Sequence, residues 1–390
     1  MKKIFKYSLM FAAALTFALG FTSCSDDNND DNSGKTELFA DNVLRQVNAT
    51  YVNETVVPTY RNLANYNSQL VDALDEMKDD AGVSKACDAW KASRKWWEFS
   101  EAFLFGPAGD YSIDPHTDTW PFDRTQFDNY MAKFDPINNE LDAATLREAI
   151  QTGQNLTGFH AVEYLIFREG QPRKYADMTA KEIWFAKEAA ADLYISSLKL
   201  VSAWGGEVSE PEQAMLDDAE FESKDYGSDF RAAGESGSSY SNVMLATRQI
   251  ISGAQDIIGE VRDSKIGSPA WGEDVNYIES PHSYNSIQDF YDNIMSCKHA
   301  LYGGCTVDGT TPSASSLLGI CLTNDKTKAA AQKVMTEMEN SLSKINSMKR
   351  PFVLYYTDQS ALDAMDALAN LDNALSDLDV ILQEAQEAYK

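Results

Sequence analysis

The chain has 390 residues, 44% of them hydrophobic and 11% aromatic, enough to pack cores in more than one domain. Its 60 acidic and 33 basic side chains leave a formal net charge of −27. Such a surface repels phosphate backbones and anionic headgroups, so nucleic acid is excluded as a partner.

At the N-terminus Lys2, Lys3 and Lys6 precede an apolar run from Leu9 to Phe21, and Thr22-Ser23 lead into Cys24. Charged, apolar and small-residue regions in this order are the pattern of a cleavable secretory signal, and the run is short of the ~20 apolar residues of a helical membrane span. Small residues before a cysteine resemble a lipobox, with Phe21 at the usual aliphatic position. The expectation is a signal peptide with a lipidated Cys24 over residues 1–24, then a disordered acidic tether over 25–37. The acidic start Ser25-Asp26-Asp27 resembles the signal that sends lipoproteins to the outer face of the outer membrane. Attachment to a membrane through lipid on Cys24 and exposure at the cell surface are therefore expected.

Beyond the tether, apolar residues recur at helical spacing, and no segment alternates with a sustained period of two. Helices are expected within 38–77, 84–105, 180–203, 242–261, 286–302 and 327–348. The C-terminal stripe of Leu362, Met365, Leu368, Leu371, Leu375, Leu378 and Leu382 predicts one long amphipathic helix. Long helices with short loops predict an all-α protein of antiparallel bundles. Glycine, serine and acidic residues crowd the segment between Trp204 and Tyr240, which divides the chain into an N-terminal bundle over 38–205, a linker or insertion over 206–239 and a C-terminal bundle over 240–390. Ala102-Phe103-Leu104-Phe105-Gly106 and His299-Ala300-Leu301-Tyr302-Gly303 are a faint echo between the two.

The most informative helix follows Gly158. Between Phe159 and Phe167 apolar or aromatic side chains occur on every side, so the helix is expected to be buried, with Thr157 or Asn155 as cap and Gly170 as end. His160 and Glu163, three residues apart, share one face and must find partners in the core. They form either a buried bond between helices or part of a transition-metal site completed from other helices. Arg94 and Glu101, seven residues apart, share the stripe of Trp90 and Trp97, and the apolar run after Glu101 predicts its burial. Glu98 lies four residues from Arg94, as in a surface pair. The loop from Ile113 to Asp123 carries Asp114, His116, Asp118, Trp120 and Asp123, which could line a pocket or serve as turn formers and caps. In the stretch from Ile278 to Ser286, capping by Asn285 or Ser286 explains most of the polar residues and leaves Glu279 over.

Four further cysteines, Cys87, Cys297, Cys305 and Cys321, allow three full pairings in an oxidising compartment, with Cys305 and Cys321 the favoured local bridge. Cys297-Lys298-His299 with Cys305 matches no trusted zinc spacing. Zincin, serine-hydrolase, phosphate-loop and haem-attachment motifs are all absent from the sequence. Without an attachment motif, haem remains admissible through His160 or a methionine or tyrosine ligand.

Gly158-x-His160-x-x-Glu163 with Tyr164-Leu165-Ile166-Phe167, Ser100-Glu101-Ala102-Phe103-x-Phe105-Gly106-Pro107, Trp120-Pro121, Glu279-Ser280-x-x-Ser283-x-Asn285-Ser286 and Tyr302-Gly303 together resemble the imelysin family, in order and over nearly the whole chain after the tether. The resemblance implies an all-helical protein of two related bundles with the motif residues at a cleft between them, exported and associated with iron acquisition. Its implied ligands are His160, Glu163, Glu101, Asp118 and Glu279, supported by Gly158, Arg94, Trp120, Asp114, Ser280, Ser283 and Asn285. Iron or another divalent metal, or haem, would be bound, and iron or haem uptake proteins would be partners. The family also carries a metallopeptidase label, but two ligands on one helical turn do not complete a zinc site, and a third ligand and a general base are not evident. A metal-dependent peptidase is the alternative to a binding protein, and an adhesion module whose polar centre only joins the bundles is a third reading.

Overall fold

The computed structural model describes residues 38–152 and 156–387, so Cys24, the expected signal peptide and tether, and Asn155 lie outside the described residues. The predicted helices are formed: Asp41–Thr50, Val57–Asp75, Asp80–Glu98, Gly158–Ile166, Ala180–Ala203, Val243–Gly259, Ser286–Tyr302, Lys328–Asn346 and Gln359–Glu387. Each of three long helices starts on a side-chain cap, which accepts a hydrogen bond from an N–H the first turn leaves unpaired. Asp79 accepts from Gly82 N, Asn242 from Leu245 N, and Thr179 forms a capping box with Glu182. The C-terminal helix buries Leu368, Leu371, Leu375, Leu378 and Leu382 completely, while Leu362, at the start of the predicted stripe, is 37% exposed. Among the described residues only one short hairpin, Phe167–Arg168 with Gln171–Pro172, is extended. It ends the His160 helix at Ile166, before the predicted stop at Gly170.

Two groups of helices meet within one compact unit from Glu37 to Lys390. In the first, Val57–Asp75 packs between Asp80–Glu98 and Ala180–Ala203. In the second, Lys328–Asn346 packs on Gln359–Glu387, and Val243–Gly259 packs on both Gln359–Glu387 and Ser286–Tyr302. The opening helix Asp41–Thr50 lies against Val243–Gly259 of the second group, and Asp80–Glu98 packs on Ser286–Tyr302. Two π-helical segments, Tyr51–Val56 and Glu260–Gly267, extend long helices with a wider turn. No described helix is long and apolar enough to cross a membrane.

The segment expected as a linker carries two short helices, Glu210–Asp218 and Tyr226–Arg231, with Leu216 and Phe230 buried. Phe230 stands against the rings of Tyr51, Phe105, Trp204 and Tyr240. Its low hydrophobic density hid two apolar anchors, one of them aromatic.

The expected Cys305–Cys321 bridge is not formed, and Cys87, Cys297, Cys305 and Cys321 are all free thiols. Cys321 is fully buried at the end of the Leu317–Cys321 helix, where burial pushes its thiol up to about 12, whereas Cys305 is half-buried. His299 packs edge-on against Phe99, and burial with the neighbouring Lys298 and Lys95 charges holds its imidazole down at about 3.

Candidate functional site

A polar centre lies where the Asp80–Glu98 helix, the loop at Asp118, the Gly158–Ile166 helix, the π-helical turn at Lys265 and the loop from Glu279 to Ser286 converge. Gly158 explains the approach of the Asp118 loop. Its φ of +72° is open to glycine, and a Cβ there would lie 2.1 Å from the Thr117 carbonyl oxygen. The glycine thus lets the Thr117 backbone pass over the helix start, one residue before Asp118 and two before His160. Thr157 occupies the cap position without a side-chain cap bond, contrary to its expected role.

His160 Nε2 lies 3.1 Å from Asp118 Oδ1 and 3.1 Å from Glu279 Oε1, and each of these three side chains is no more than 6% exposed. On the other edge of the ring, Nδ1 is 3.4 Å from Glu163 Oε2. Glu163 Oε1 accepts from His282 N at 2.9 Å, Ser283 N at 2.7 Å and Ser283 Oγ at 2.8 Å. The non-glycine residues Ser280 and Tyr284 hold positive φ values of 44° and 59°, so the loop stores backbone strain as it curls around this carboxylate.

Arg94 braces the same carboxylates, with Nη1 2.6 Å from Asp118 Oδ1 and Nη2 2.5 Å from both Glu279 Oε1 and Glu98 Oε1. Arg94 and Glu98 are both fully buried, which overturns the surface-pair reading, and Asn293 holds the other Glu98 oxygen. Trp97 Nε1 donates to Asp118 Oδ2 at 3.0 Å. Lys265 reaches Glu279 Oε2 at 2.9 Å, and its ammonium stands 5.6 Å from the Trp120 ring centroid. Glu101, 7% exposed, falls with Glu98 and Asp118 in a second cluster of acidic oxygens.

Capping does not account for the second-half cluster. Ser283 serves Glu163, Asn285 Nδ2 donates to Asp289 Oδ1 at 2.7 Å, and Ser286 Oγ donates to the Glu279 carbonyl at 2.5 Å. Ser280 is fully buried. In the first loop, Asp123 caps the Arg124–Met131 helix and His116 pairs with Asp192, while Asp114 is half-buried near Asp118.

The charges sort themselves by partner. Burial alone would raise Glu279, but Lys265, His160 and Arg94 hold it down at about 2. Asp118 is likewise held well below the carboxylate range against its burial, chiefly by Arg94 and His160. Burial would lower His160, yet the bond and charge of Asp118, with Glu163 and Glu279, hold it well above an ordinary histidine. Asp114 and Asp289 are each pushed up to about 7, first by burial and then by a neighbouring carboxylate, Asp118 and Glu279 respectively. Glu98 and Glu101 are raised well above the usual range by burial.

Reading the sequence missed Lys265 and weighed Glu98 as one end of a surface pair. Lys265 sits in the charged run Glu260-Val-Arg-Asp-Ser-Lys265, which gives no apolar period to mark one lysine as buried. Beside His160 and Glu163 opens a cavity of about 590 Å³, walled by Trp120, Phe122, Tyr164, His282, Tyr284 and Tyr356.

An all-helical protein with a buried, charge-compensated centre of one imidazole and several carboxylates is the class that fold and site define. The imelysin family profile matches residues 56–382, and the chain belongs to that family. It is 28% identical over 254 residues to iron-regulated protein A of Synechococcus elongatus, a match covering 64% of this chain and 62% of that protein. Among solved structures it is similar to an iron-regulated protein A precursor from Parabacteroides distasonis, with a TM-score of 0.74 and 26% identity, covering 88% of this chain and 96% of the other. An imelysin-like protein from Psychrobacter arcticum, at 13% identity and a TM-score of 0.59, shares the fold over 86% of this chain and 94% of its own.

Proposed function

We propose that this protein binds an iron ion, held by Asp118, His160 and Glu279, as part of iron acquisition at the cell envelope. The observation that carries the reading is the orientation of His160. If Nδ1–H faces Glu163, the Nε2 lone pair faces two carboxylate oxygens at 3.1 Å each, an arrangement that repels unless a proton or a metal cation lies between them. A carboxylate behind the distal nitrogen is how metal-bound histidines are oriented.

The three donor atoms lie within 4.8 Å of one another. Adjacent ligands at ~2.1 Å from an octahedral ion stand about 3 Å apart. One imidazole and two carboxylates suit iron or manganese better than the softer thiolate-seeking metals. Arg94 and Lys265 stand against the same carboxylates and lower the affinity for a cation, which suits exchangeable cargo. Burial of all three donors favours binding over peptide hydrolysis, which needs an open coordination position facing a substrate. The relatives named for iron regulation support the iron assignment. The signal and lipobox pattern supports outer-membrane attachment through Cys24.

Elemental analysis of protein loaded anaerobically with Fe(II) and then dialysed tests the reading. About one iron per chain, removable by a chelator, is expected, and stoichiometry at the level of a bovine albumin control would overturn it.

A further inference from the structure

A cavity of about 250 Å³ shares no wall residue with the ion site and lies where the segment between Trp204 and Tyr240 folds onto the turn after Phe105. Gly106, in its wall at a φ of +70°, sends no side chain into it, and a Cβ there would stand 3.1 Å from Tyr226 Cδ1 and 3.9 Å from Trp204 Cζ2. Trp204 is 1% exposed, yet its indole N–H has no hydrogen-bond partner among the described residues. Nε1 and Cζ2 share one edge of the ring, so the unpaired donor stands on the Gly106 side, toward the cavity. A buried donor left unmet is costly, and an acceptor arriving in the cavity would remove that cost.

Two further groups in the same wall are equally unused. The Gln249 amide and the Tyr240 hydroxyl are half-buried and form no hydrogen bond among the described residues. Burial, and then the charges of Asp229 and Asp110, push the Tyr240 hydroxyl up to about 12, so it keeps its proton and can donate. Acceptors stand in the same wall. Asp110 Oδ2 takes the Tyr226 hydroxyl at 2.6 Å and leaves Oδ1 open, while Asp229 Oδ1 accepts from Ser239 N at 2.7 Å. The rings of Phe105, Trp204, Tyr226 and Tyr240 supply the apolar part of the lining.

These walls exclude three classes of ligand. Asp110 and Asp229 repel an anion. An organic or metal cation finds its place taken by Lys224, whose ammonium stands 4.4 Å from the Tyr226 ring centroid and 3.4 Å from Asp229 Oδ2. A large planar molecule needs more than this volume, which is below the ~300–1,000 Å³ of sites for drug-sized ligands. What fits is a small neutral molecule with several hydroxyls and one apolar face, since each hydroxyl both donates and accepts and the C–H bonds of the face meet the negative faces of the rings. We propose that the cavity binds one neutral pyranose ring of a sugar, with Trp204, Gln249 and Tyr240 donating to its oxygens and Asp110 accepting from its hydroxyls. This site is separate from the Asp118–His160–Glu279 triad and does not depend on iron binding there.

The test is saturation-transfer difference NMR of the full chain with the methyl glycosides of glucose, galactose, mannose and N-acetylglucosamine, followed by calorimetric titration. Choline chloride, glycine and sodium phosphate are titrated in parallel. At least one glycoside is expected to bind saturably in the low millimolar range, with the C–H protons of one ring face receiving the strongest transfer. Gln249→Leu, which keeps the size of a half-buried side chain and removes its amide, should weaken that glycoside about fivefold or more, with melting temperature and Fe(II) affinity unchanged. Asp110→Ala, at an exposed position, should weaken it similarly, and Trp204→Phe should do so by removing the indole donor. The double variant Asp118→Asn/Glu279→Gln should bind the glycoside as wild type does, even if it has lost Fe(II). The proposal is overturned if no glycoside binds at tens of millimolar, if choline, glycine or phosphate binds in preference to every glycoside, or if Gln249→Leu and Asp110→Ala both leave the affinity unchanged.

Discussion

Glu163 and His160 stand one helical turn apart, and the Glu163 carboxylate divides its oxygens between two tasks. Oε2 faces His160 Nδ1 at 3.4 Å, while Oε1 gathers three donors from His282 and Ser283. One side chain therefore orients the imidazole and ties down the loop that delivers Glu279.

Separating these tasks gives the first prediction. Glu163→Gln keeps an oxygen for the loop but weakens the hold on Nδ1–H, so Fe(II) affinity should fall about 10–100-fold with little change in melting temperature. Glu163→Ala should cost about 2–4 kcal/mol in denaturant unfolding, because three donors lose their acceptor. Equal melting of both variants would show that the loop does not depend on this carboxylate.

Gly158→Ala tests the crossing of the Asp118 loop over the helix. A methyl group 2.1 Å from the Thr117 oxygen, on a residue at positive φ, forces the backbones apart. A loss of about 2 kcal/mol or more is expected in chemical denaturation. A change below about 0.5 kcal/mol, the range of neutral surface substitutions, would contradict the contact.

Arg94→Met should be severe in the metal-free protein. It leaves Asp118, Glu98 and Glu279 buried without their shared guanidinium, and stability should drop by about 3–5 kcal/mol. Fe(II) should restore part of the loss, since a cation between Asp118 and Glu279 replaces some of the missing charge. Melting with and without metal distinguishes rescue from simple unfolding.

The raised carboxylates set a pH dependence. Asp289 at about 7 binds its proton more tightly folded than unfolded, where an aspartate titrates near ~3.9. Its contribution is fully present below ~3.9 and is lost as pH rises through about 7. Glu279, held at about 2, acts oppositely but contributes fully above ~4.3, so it adds no slope at neutral pH. Metal-free protein should therefore be less stable at pH 8 than at pH 5. Asp289→Asn should reduce that difference, as measured by urea unfolding at both values, and an undiminished slope would remove Asp289 as its source.

Much of the scaffold was legible because long helices announce themselves by period. The Ala180–Ala203 and Ser286–Tyr302 helices follow directly from apolar spacing. The His160–Glu163 pair was visible as two polar residues on an otherwise apolar helix. Partners from distant segments were harder to read. Glu98 looked like one end of a surface pair because i,i+4 spacing carries no information about which face is buried. Lys265 was hidden because a π-helical turn shifts the face on which a residue emerges. The serines and Asn285 near Glu279 matched capping chemistry, yet their bonds serve Glu163, Asp289 and the Glu279 backbone. Phe230 escaped notice because its segment is otherwise rich in glycine, serine and acidic residues, yet its ring packs against Tyr51 and Trp204.

The central claim is that a cation replaces the proton between His160 and the two carboxylates, and anaerobic calorimetry of Fe(II) at pH 6 and pH 8 tests it most directly. Wild type should bind one ion, release protons on binding and bind more tightly at pH 8, because the metal requires the deprotonated nitrogen. His160→Gln should lose at least 100-fold in affinity, lose most of the proton release and still give a cooperative melt. Wild-type binding that is absent, or affinity and proton release that survive unchanged in His160→Gln, would contradict the account.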